Sequence, residues 1–139
     1  ILGILNGDDF QMVISDLPGI IKPAYKMHQT MMQFVKTSLE DADVFIYMVE
    51  IGDKPEKQPE EYEKIKQLNV PVIILLNKLD ITDHEIVEYE RELWEADFPK
   101  AEIISFSAKF NWNLEKLMDF ALKHLPESPP YFDNNACAI

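Results

Sequence analysis

Three short polar motifs contain the side chains of this chain that could bind a ligand or take part in a reaction. They are Asp16-Leu17-Pro18-Gly19 (a D-x-x-G), Asn77-Lys78-Leu79-Asp80 (an N-K-x-D) and Phe106-Ser107-Ala108-Lys109, which contains S-A-K. A D-x-x-G alone is typical of an ordinary turn. An N-K-x-D directly after an apolar run is far more specific, and the order of the three motifs makes chance a poor explanation. We therefore treat the three motifs as one candidate site.

The second and third motifs suit recognition of a flat heterocycle. The Asp80 carboxylate only accepts hydrogen bonds when ionised, so it can take two donors from one edge of a base. Guanine presents such a pair, a ring N–H beside an exocyclic amine. Adenine does not, and it would leave the carboxylate facing acceptors at a large cost. The stems of Lys78 and Lys109 can lie along the two faces of the ring, and the backbone N–H of Ala108 can donate to a ring carbonyl.

The first motif suits a metal ion and a phosphate. Asp16 can hold Mg²⁺, usually through water, because this hard cation prefers oxygen ligands. Gly19 has no side chain, so its backbone N–H can approach a phosphate closely. These residue types predict nucleotide binding by Lys78, Asp80, Ala108, Lys109, Asp16 and Gly19, and the family resemblance given below adds Asn77 and Ser107.

The apolar pattern predicts the elements that must position these motifs. Ile1–Leu5 and Phe10–Ser15 flank Asn6-Gly7, a strong hairpin signal. Buried strands are predicted at Val44–Val49 and Val70–Leu76, and another short strand is predicted at Glu102–Ser105. The predicted helices run from about Lys26 to Leu39, from Glu60 to Gln67, from a Thr82–Glu85 capping box to about Trp94, and from Leu114 to Leu125.

The order of these elements predicts an α/β fold. Strands that alternate with helices form a mostly parallel sheet with helices on both faces, and the opening hairpin adds an antiparallel edge. Ligands of such sheets bind at the carboxyl ends of the strands, which is where all three motifs lie. The two tryptophans, Trp94 and Trp112, are expected to be packing anchors and not base-stacking platforms.

Length, composition and charge exclude several other classes. The chain has 139 residues, enough for one domain with a core, and 47% of them are hydrophobic. The single cysteine, Cys137, cannot form an internal disulfide, so a stapled secreted scaffold is excluded. The longest apolar stretch, Val70–Leu76, is far too short to span a membrane. The net charge of −12 argues against nucleic-acid binding by this segment, because Lys and Arg hold phosphates.

Taken together, the three motifs resemble those of the TRAFAC class of GTPases, and most closely those of the Era family. The resemblance covers nearly the whole chain, including the opening Ile1-Leu2-Gly3-Ile4 and the closing run from His124 to Phe132. It implies a P-loop-NTPase-type sheet, GTP or GDP as ligand and Mg²⁺ as cofactor. It also implies that Asn77 and Asp80 read guanine between Lys78 and Lys109, while Asp16 and Gly19 sense the metal and the γ-phosphate.

The same resemblance implies a role for the whole protein. Era proteins are ribosome-assembly GTPases that bind the RNA of the small ribosomal subunit through a KH domain, so we expect a cytoplasmic, monomeric GTPase. Residues 17 to about 36 are expected to rearrange on hydrolysis, with Leu17, Pro18 and Ile20 as switch residues. Leu17 stands where the family usually has Thr. Ile20 cannot orient water as Gln does in many small GTPases, so hydrolysis is expected to be slow.

Two parts of the family pattern do not occur in the sequence. It contains neither a G-x-x-x-x-G-K-[S/T] phosphate loop nor a G-x-x-G RNA clamp. We therefore expect residues 1–125 to be a partial GTPase domain without its first strand, and residues 126–139 to be a linker toward an RNA-binding domain. By itself this segment is expected to bind nucleotide weakly or not at all, and no catalytic residue is assigned to it.

Two other functions are compatible with the sequence. A non-catalytic module would use the surface from Asp16 to Leu39 to bind a protein partner, and this becomes the leading hypothesis if the chain is complete. A phosphoacceptor receiver domain would account for the length, the early Asp8-Asp9 pair and Lys109 after a late strand. However, Asp8 and Asp9 fall in the predicted hairpin turn and not at the end of a parallel strand.

Overall fold

The structure, a computed structural model, describes residues 2–16, 37–52, 59–130 and 132. These residues fall into two compact units, one drawn from Ile1–Ala42 and Pro126–Ile139 and the other from Asp43–Leu125. The first unit contains a two-stranded sheet and the second a three-stranded sheet. Strands and helices alternate through the second unit, which confirms the predicted α/β class.

The opening hairpin is confirmed. Strand β1 (Leu2–Asn6) pairs antiparallel with β2 (Gln11–Ser15), in a register that runs from Leu2 opposite Ser15 to Asn6 opposite Gln11. The Gly7 N–H donates to the Phe10 carbonyl at 2.9 Å and closes the turn. A Cβ on Gly7 would overlap the Phe10 ring, so a larger residue at this position would require that ring to move. Asp8 and Asp9 are exposed in the turn, where a receiver domain could not use them.

The second unit is organised around a parallel sheet. Its strands β3 (Phe45–Glu50), β4 (Val72–Asn77) and β5 (Glu102–Ser105) pair in the order β3-β4-β5. The four β4 side chains from Ile73 to Leu76 are at most 1% exposed, as expected for a central parallel strand. The prediction that β3 is buried is wrong for one face. Alternate side chains of a strand point to opposite faces, and those of Ile46 and Met48 are about half exposed, whereas those of Phe45 and Val49 are buried.

Three helices in the second unit connect or follow these strands. They are α1 (Pro59–Lys66), α2 (His84–Asp97) and α3 (Leu114–His124), and a 3₁₀ turn covers Leu79–Ile81. Of the helix predicted from Lys26 to Leu39, the part up to residue 36 lies outside the described residues, and residues 37–41 are helical. Within the described ranges, none of the helices has the length and hydropathy needed to cross a membrane.

An aromatic cluster joins α1 to α2. Tyr62 makes edge-to-face contacts with Trp94 and Phe98, with ring centroids 5.4 and 5.7 Å apart, and Trp94 stacks on Phe98. Trp94 is only 1% exposed, so its predicted role as a packing anchor is confirmed. The same prediction is wrong for Trp112, whose side chain is 48% exposed because it lies in a loop beyond β5.

The predicted capping box at the start of α2 is also wrong. The N-cap residue is Asp83, which makes no side-chain capping bond. The hydroxyl of Thr82 donates instead to the Lys78 carbonyl at 2.8 Å. Thr82 therefore stabilises the loop that contains the N-K-x-D motif, and this use of its hydroxyl is not visible from the spacing of Thr and Glu alone.

Candidate functional site

The pairing of β4 with β5 brings the second and third motifs together. The two strands run parallel with Leu76 opposite Ser105, so the residues that follow them emerge at the same edge of the sheet. Two backbone hydrogen bonds continue the pairing beyond the strands. The Phe106 N–H donates to the Leu76 carbonyl at 2.8 Å, and the Leu79 N–H donates to the Phe106 carbonyl at 3.0 Å. The N-K-x-D and S-A-K loops are therefore adjacent, as predicted.

Side-chain hydrogen bonds then fix the polar groups of these loops. The Ser107 hydroxyl donates to Oδ1 of Asp80 at 2.7 Å, and the Ala108 N–H donates to Oδ1 of Asn77 at 3.0 Å. Ser107 is fully buried, while Asp80 and Asn77 are half-buried. A carboxylate has about four acceptor positions, so Asp80 keeps acceptor capacity for a ligand after it has bonded Ser107. The hydrogen bond from Ser107 thus orients the Asp80 carboxylate and still leaves acceptor positions for a ligand.

The Ala108 contact bears on how this loop could serve a base. Sequence reasoning assigned the Ala108 N–H to a carbonyl of the ligand. Here the N–H donates to Asn77, which holds the two loops together. A ligand carbonyl can use this donor only by sharing the bond or by replacing the Asn77 oxygen. The two assignments are compatible if the N–H is shared between both acceptors or if the Asn77 amide moves aside when the ligand binds.

Lys78 is held at both its backbone and its side chain. Its φ of 74° lies in the left-handed region, and Thr82 bonds its carbonyl. Its ammonium lies 2.8 Å from Oε2 of Glu50, the last residue of β3, and both side chains are about half exposed. Sequence reasoning missed Glu50. The rule that ligands bind at the carboxyl ends of parallel strands could have found it, since Glu50 ends β3 as Asn77 ends β4.

A small closed loop follows Ser107. Ser107 and Trp112 exchange two backbone hydrogen bonds of 3.3 and 3.2 Å, and Asn111 between them has a φ of 57°. The ammonium of Lys109 lies 5.3 Å from the centroid of the Phe110 ring, and that ring stacks on Trp112 at 5.6 Å. Sequence reasoning gave no role to Phe110, because an aromatic residue in a loop has no periodicity to reveal it.

The side chain of Asn113 makes a further contact in this loop that none of the three motifs reveals. Asn113 has a φ of 64°, and its side-chain amide donates to the Ser105 carbonyl at 2.6 Å. Asparagine tolerates the left-handed conformation better than most residues, which explains asparagines at both positive-φ positions of this loop. This bond ties the start of α3 to the end of β5, and thereby steadies the loop that carries Ser107.

The first motif lies in the other unit. Asp16 follows directly on β2 and is exposed, while Leu17, Pro18, Gly19 and Ile20 lie outside the described residues. Among the described residues there is no cluster of three or more His, Cys, Asp or Glu side chains that could hold a metal ion. A single carboxylate nevertheless fits Mg²⁺, which usually keeps several waters and binds one or two carboxylates together with phosphate oxygens.

Comparison with known proteins identifies the family of this site. Residues 5–127 match the family model described as the elongation factor Tu GTP binding domain. The chain belongs to this family. The match includes all three motifs, so the adjacent N-K-x-D and S-A-K loops are those of a GTP-binding domain.

Curated relatives confirm the resemblance to Era. The chain is 33% identical over 134 residues to GTPase Era of Caldanaerobacter subterraneus subsp. tengcongensis, and 36% identical over 138 residues to GTPase Era of Clostridium perfringens strain 13. In each case the match covers 95% of this chain and 45% of the relative. The chain therefore spans slightly less than half the length of these relatives.

Solved structures confirm the fold. An Aquifex aeolicus Era variant bound to GDP·AlF₄⁻ superimposes with a TM-score of 0.87 at 33% identity, covering 99% of this chain and 48% of the other. Era in complex with MgGDPNP and nucleotides 1506–1542 of 16S ribosomal RNA gives a TM-score of 0.86 at 33% identity, covering 98% and 47%. The elongation factor SelB of Methanococcus maripaludis, at 17% identity and a TM-score of 0.66, shares the fold alone.

Proposed function

We propose that this chain is the guanine-reading part of an Era-type GTPase that acts in assembly of the small ribosomal subunit. The observation that carries the proposal is the pair of hydrogen-bonded loops at the ends of β4 and β5, which holds Asp80 through Ser107 and joins Asn77 to Ala108. It is supported by the Era structures that contain GDP·AlF₄⁻, MgGDPNP and ribosomal RNA.

In this proposal Asp80 reads the base. Its carboxylate accepts hydrogen bonds from the guanine ring N–H and from the exocyclic amine, while Asn77 and Ser107 hold the two loops in register. The stems of Lys78 and Lys109 cover the two faces of the ring, and the Ala108 N–H donates to the guanine carbonyl while it remains shared with the Asn77 oxygen. An adenine would leave the half-buried carboxylate opposite acceptors, which accounts for discrimination between the two purines.

Asp16 is assigned to the other end of the nucleotide. When Mg²⁺ is bound, it neutralises charge on the phosphates, and Asp16 would hold it through water. Gly19 would offer its backbone N–H to the γ-phosphate, and Leu17, Pro18 and Ile20 would move when that phosphate leaves. Ile20 has no group that can orient a water molecule, so hydrolysis by the complete protein would depend on backbone groups or on a cation.

The remaining proposals concern the whole protein. Residues 1–125 would form part of its GTPase domain, and residues 126–139 would lead toward a separate RNA-binding domain. That second domain would supply the basic surface for ribosomal RNA, since these 139 residues carry a net charge of −12. Hydrolysis of GTP to GDP and phosphate would then time the release of a cytoplasmic assembly factor from the subunit.

Nucleotide titration tests the proposal. The complete product of the gene is titrated with a fluorescent GDP analogue and then challenged with unlabelled GDP, GTP and ADP. We expect a Kd near or below about 1 μM, with displacement by both guanine nucleotides and not by ADP. Equal displacement by ADP, or no binding at all, would contradict it. The 139-residue chain titrated in parallel is expected to bind much more weakly, since its sequence contains no phosphate loop.

A further inference from the structure

Each of the two lysines that would flank the base is held by a side chain outside the three motifs. The Lys78 ammonium pairs with Glu50 at 2.8 Å, and the Lys109 ammonium lies 5.3 Å from the centre of the Phe110 ring. Both lysines belong to loops that are already connected through Asp80 and Ser107. The two contacts therefore act on the same proposed base site from opposite loops.

The position of Glu50 is set by the sheet. It is opposite Asn77 in the parallel register of β3 and β4, and the N–H of the next residue, Ile51, donates to the Asn77 carbonyl at 3.1 Å. The backbone that carries Glu50 is thus fixed beside the N-K-x-D loop. Because both charged side chains are about half exposed, their attraction is screened by water. The pair would act mainly by restricting the long Lys78 side chain to one direction.

The position of Phe110 is set by its loop. Its backbone N–H donates to the Ser107 hydroxyl at 3.3 Å, and its ring stacks on Trp112 with the planes 27° apart. Trp112 is in turn bridged to Ser107 through the backbone. The ring is about half exposed, so it contributes little to the core. The ring instead contacts the ammonium of Lys109, because the face of an aromatic ring attracts a cation.

We propose that Glu50 and Phe110 are positioning residues that hold Lys78 and Lys109 in place as the two walls of the base site before nucleotide binds. This rests on the proposed function, since the lysines need a base between them. A lysine side chain loses much conformational freedom when it is ordered, and a side chain ordered in advance lowers that cost of binding. Neither residue contacts the base in this proposal, so neither should affect which base is chosen.

Four single variants of the complete gene product test this, with GDP affinity as the measurement. Glu50→Gln and Phe110→Leu are each expected to raise the Kd about two- to fivefold, the range typical of exposed ion pairs and cation–π contacts. The preference for GDP over ADP should not change. Two matched controls on α2, Glu85→Gln and Tyr89→Leu, also alter exposed side chains and are expected to leave the Kd unchanged.

A double-mutant cycle separates positioning from a general structural effect. In a Lys78→Met background Glu50→Gln should have no further effect, and in a Lys109→Met background Phe110→Leu should have none. The inference is overturned if either substitution keeps its full effect in those backgrounds or has no effect in the wild type. It is also overturned if Glu50→Gln binds GDP more tightly. If the wild-type protein itself does not bind GDP, the proposed function fails instead, so the two failures are distinguishable.

Discussion

The N-K-x-D and S-A-K loops differ from Asp16 in how far neighbouring groups hold their side chains. Asn77 and Asp80 each accept a hydrogen bond from the neighbouring loop, and the strands before those loops belong to a sheet with four almost fully buried side chains in β4. Asp16 is exposed at the end of a two-stranded hairpin. Among the described side chains of that hairpin, Met12 is the one buried hydrophobic residue.

In the proposed function, this difference matches what each part would recognise. A base has a fixed edge of donors and acceptors, so its site benefits from groups that are oriented in advance. A magnesium ion in a nucleotide site takes much of its coordination from water and phosphate oxygens, so the protein needs to supply few ligands. In the proposed function, the region from Asp43 to Leu125 would supply the groups that read guanine, whereas Asp16 would share the metal ion with water and the nucleotide.

The substitution with the greatest expected effect lies in the aromatic cluster between α1 and α2. Trp94→Ala removes the ring that contacts both Tyr62 and Phe98, and it should lower the free energy of unfolding by about 3–5 kcal/mol. Urea unfolding followed by circular dichroism measures this. Trp112→Ala is the matched control, because Trp112 is exposed, and it should cost less than about 1 kcal/mol. Similar losses in the two variants would mean that the region has no core of its own at Trp94.

Two serines that lie close together in the sequence are expected to differ in how much they contribute to GDP binding. Ser107→Ala removes the hydroxyl that orients Asp80 and should weaken GDP binding by about 1.5–3 kcal/mol, roughly ten- to a hundredfold. Ser105 also has a buried hydroxyl, but the structure gives it no hydrogen-bond partner among the described residues. Ser105→Ala should therefore leave GDP binding unchanged. If isothermal titration gives both variants the same affinity, the bond to Asp80 does not orient the carboxylate.

Much of this site could be predicted from the sequence, because strand ends and motifs are local features. The bounds of β5 were predicted without error, and the adjacency of the N-K-x-D and S-A-K loops follows from the parallel pairing of β4 and β5. The pairing of Lys78 with Glu50 could not be predicted in the same way. It depends on the register of β3 against β4, and a shift of one residue would move Glu50 to the other face.

The predictions of a capping box at Thr82 and of a fully buried β3 were wrong for a similar reason: a sequence pattern does not show what lies next to a side chain. Thr82 and Glu85 have capping-box spacing, but the Thr82 hydroxyl bonds the Lys78 carbonyl, a partner that spacing does not reveal. The apolar run of β3 predicts burial on both faces, yet Ile46 and Met48 are exposed. A periodicity shows which side chains share a face of a strand. It does not show which of the two faces other elements cover.

A still smaller effect, at the ends of α1 and α2, is expected to depend on pH. The hydrogen bond from Lys66 to Asp97 at 2.8 Å, helped by Glu63, raises the pKa of the Lys66 ammonium above its ordinary value of 10.5. Because the folded state binds this proton more tightly, the contribution to stability is full below pH 10.5 and is lost as the pH rises through the raised pKa. Lys66→Gln should lower Tm slightly at pH 8, and the difference from wild type should shrink at pH 11.

Lys64→Gln on the same helix provides the control for that measurement. Lys64 is exposed, and its removal changes the net charge by the same amount. Its Tm difference from wild type should be smaller at pH 8 than that of Lys66→Gln. Identical pH profiles for the two variants would show that the contact between Lys66 and Asp97 does not contribute to stability.

A change of base preference gives the sharpest test of the proposal that Asp80 reads guanine. Xanthine has a carbonyl where guanine has its exocyclic amine. In Asp80→Asn the side-chain amide can donate to that carbonyl, while the amide oxygen still accepts from the ring N–H. We measure the Kd values of GDP and xanthosine diphosphate for the wild-type and Asp80→Asn forms of the complete gene product. We expect GDP affinity to fall roughly a hundredfold and xanthosine diphosphate to become the preferred ligand, as the proposal requires. An Asp80→Asn protein that still prefers GDP would contradict it.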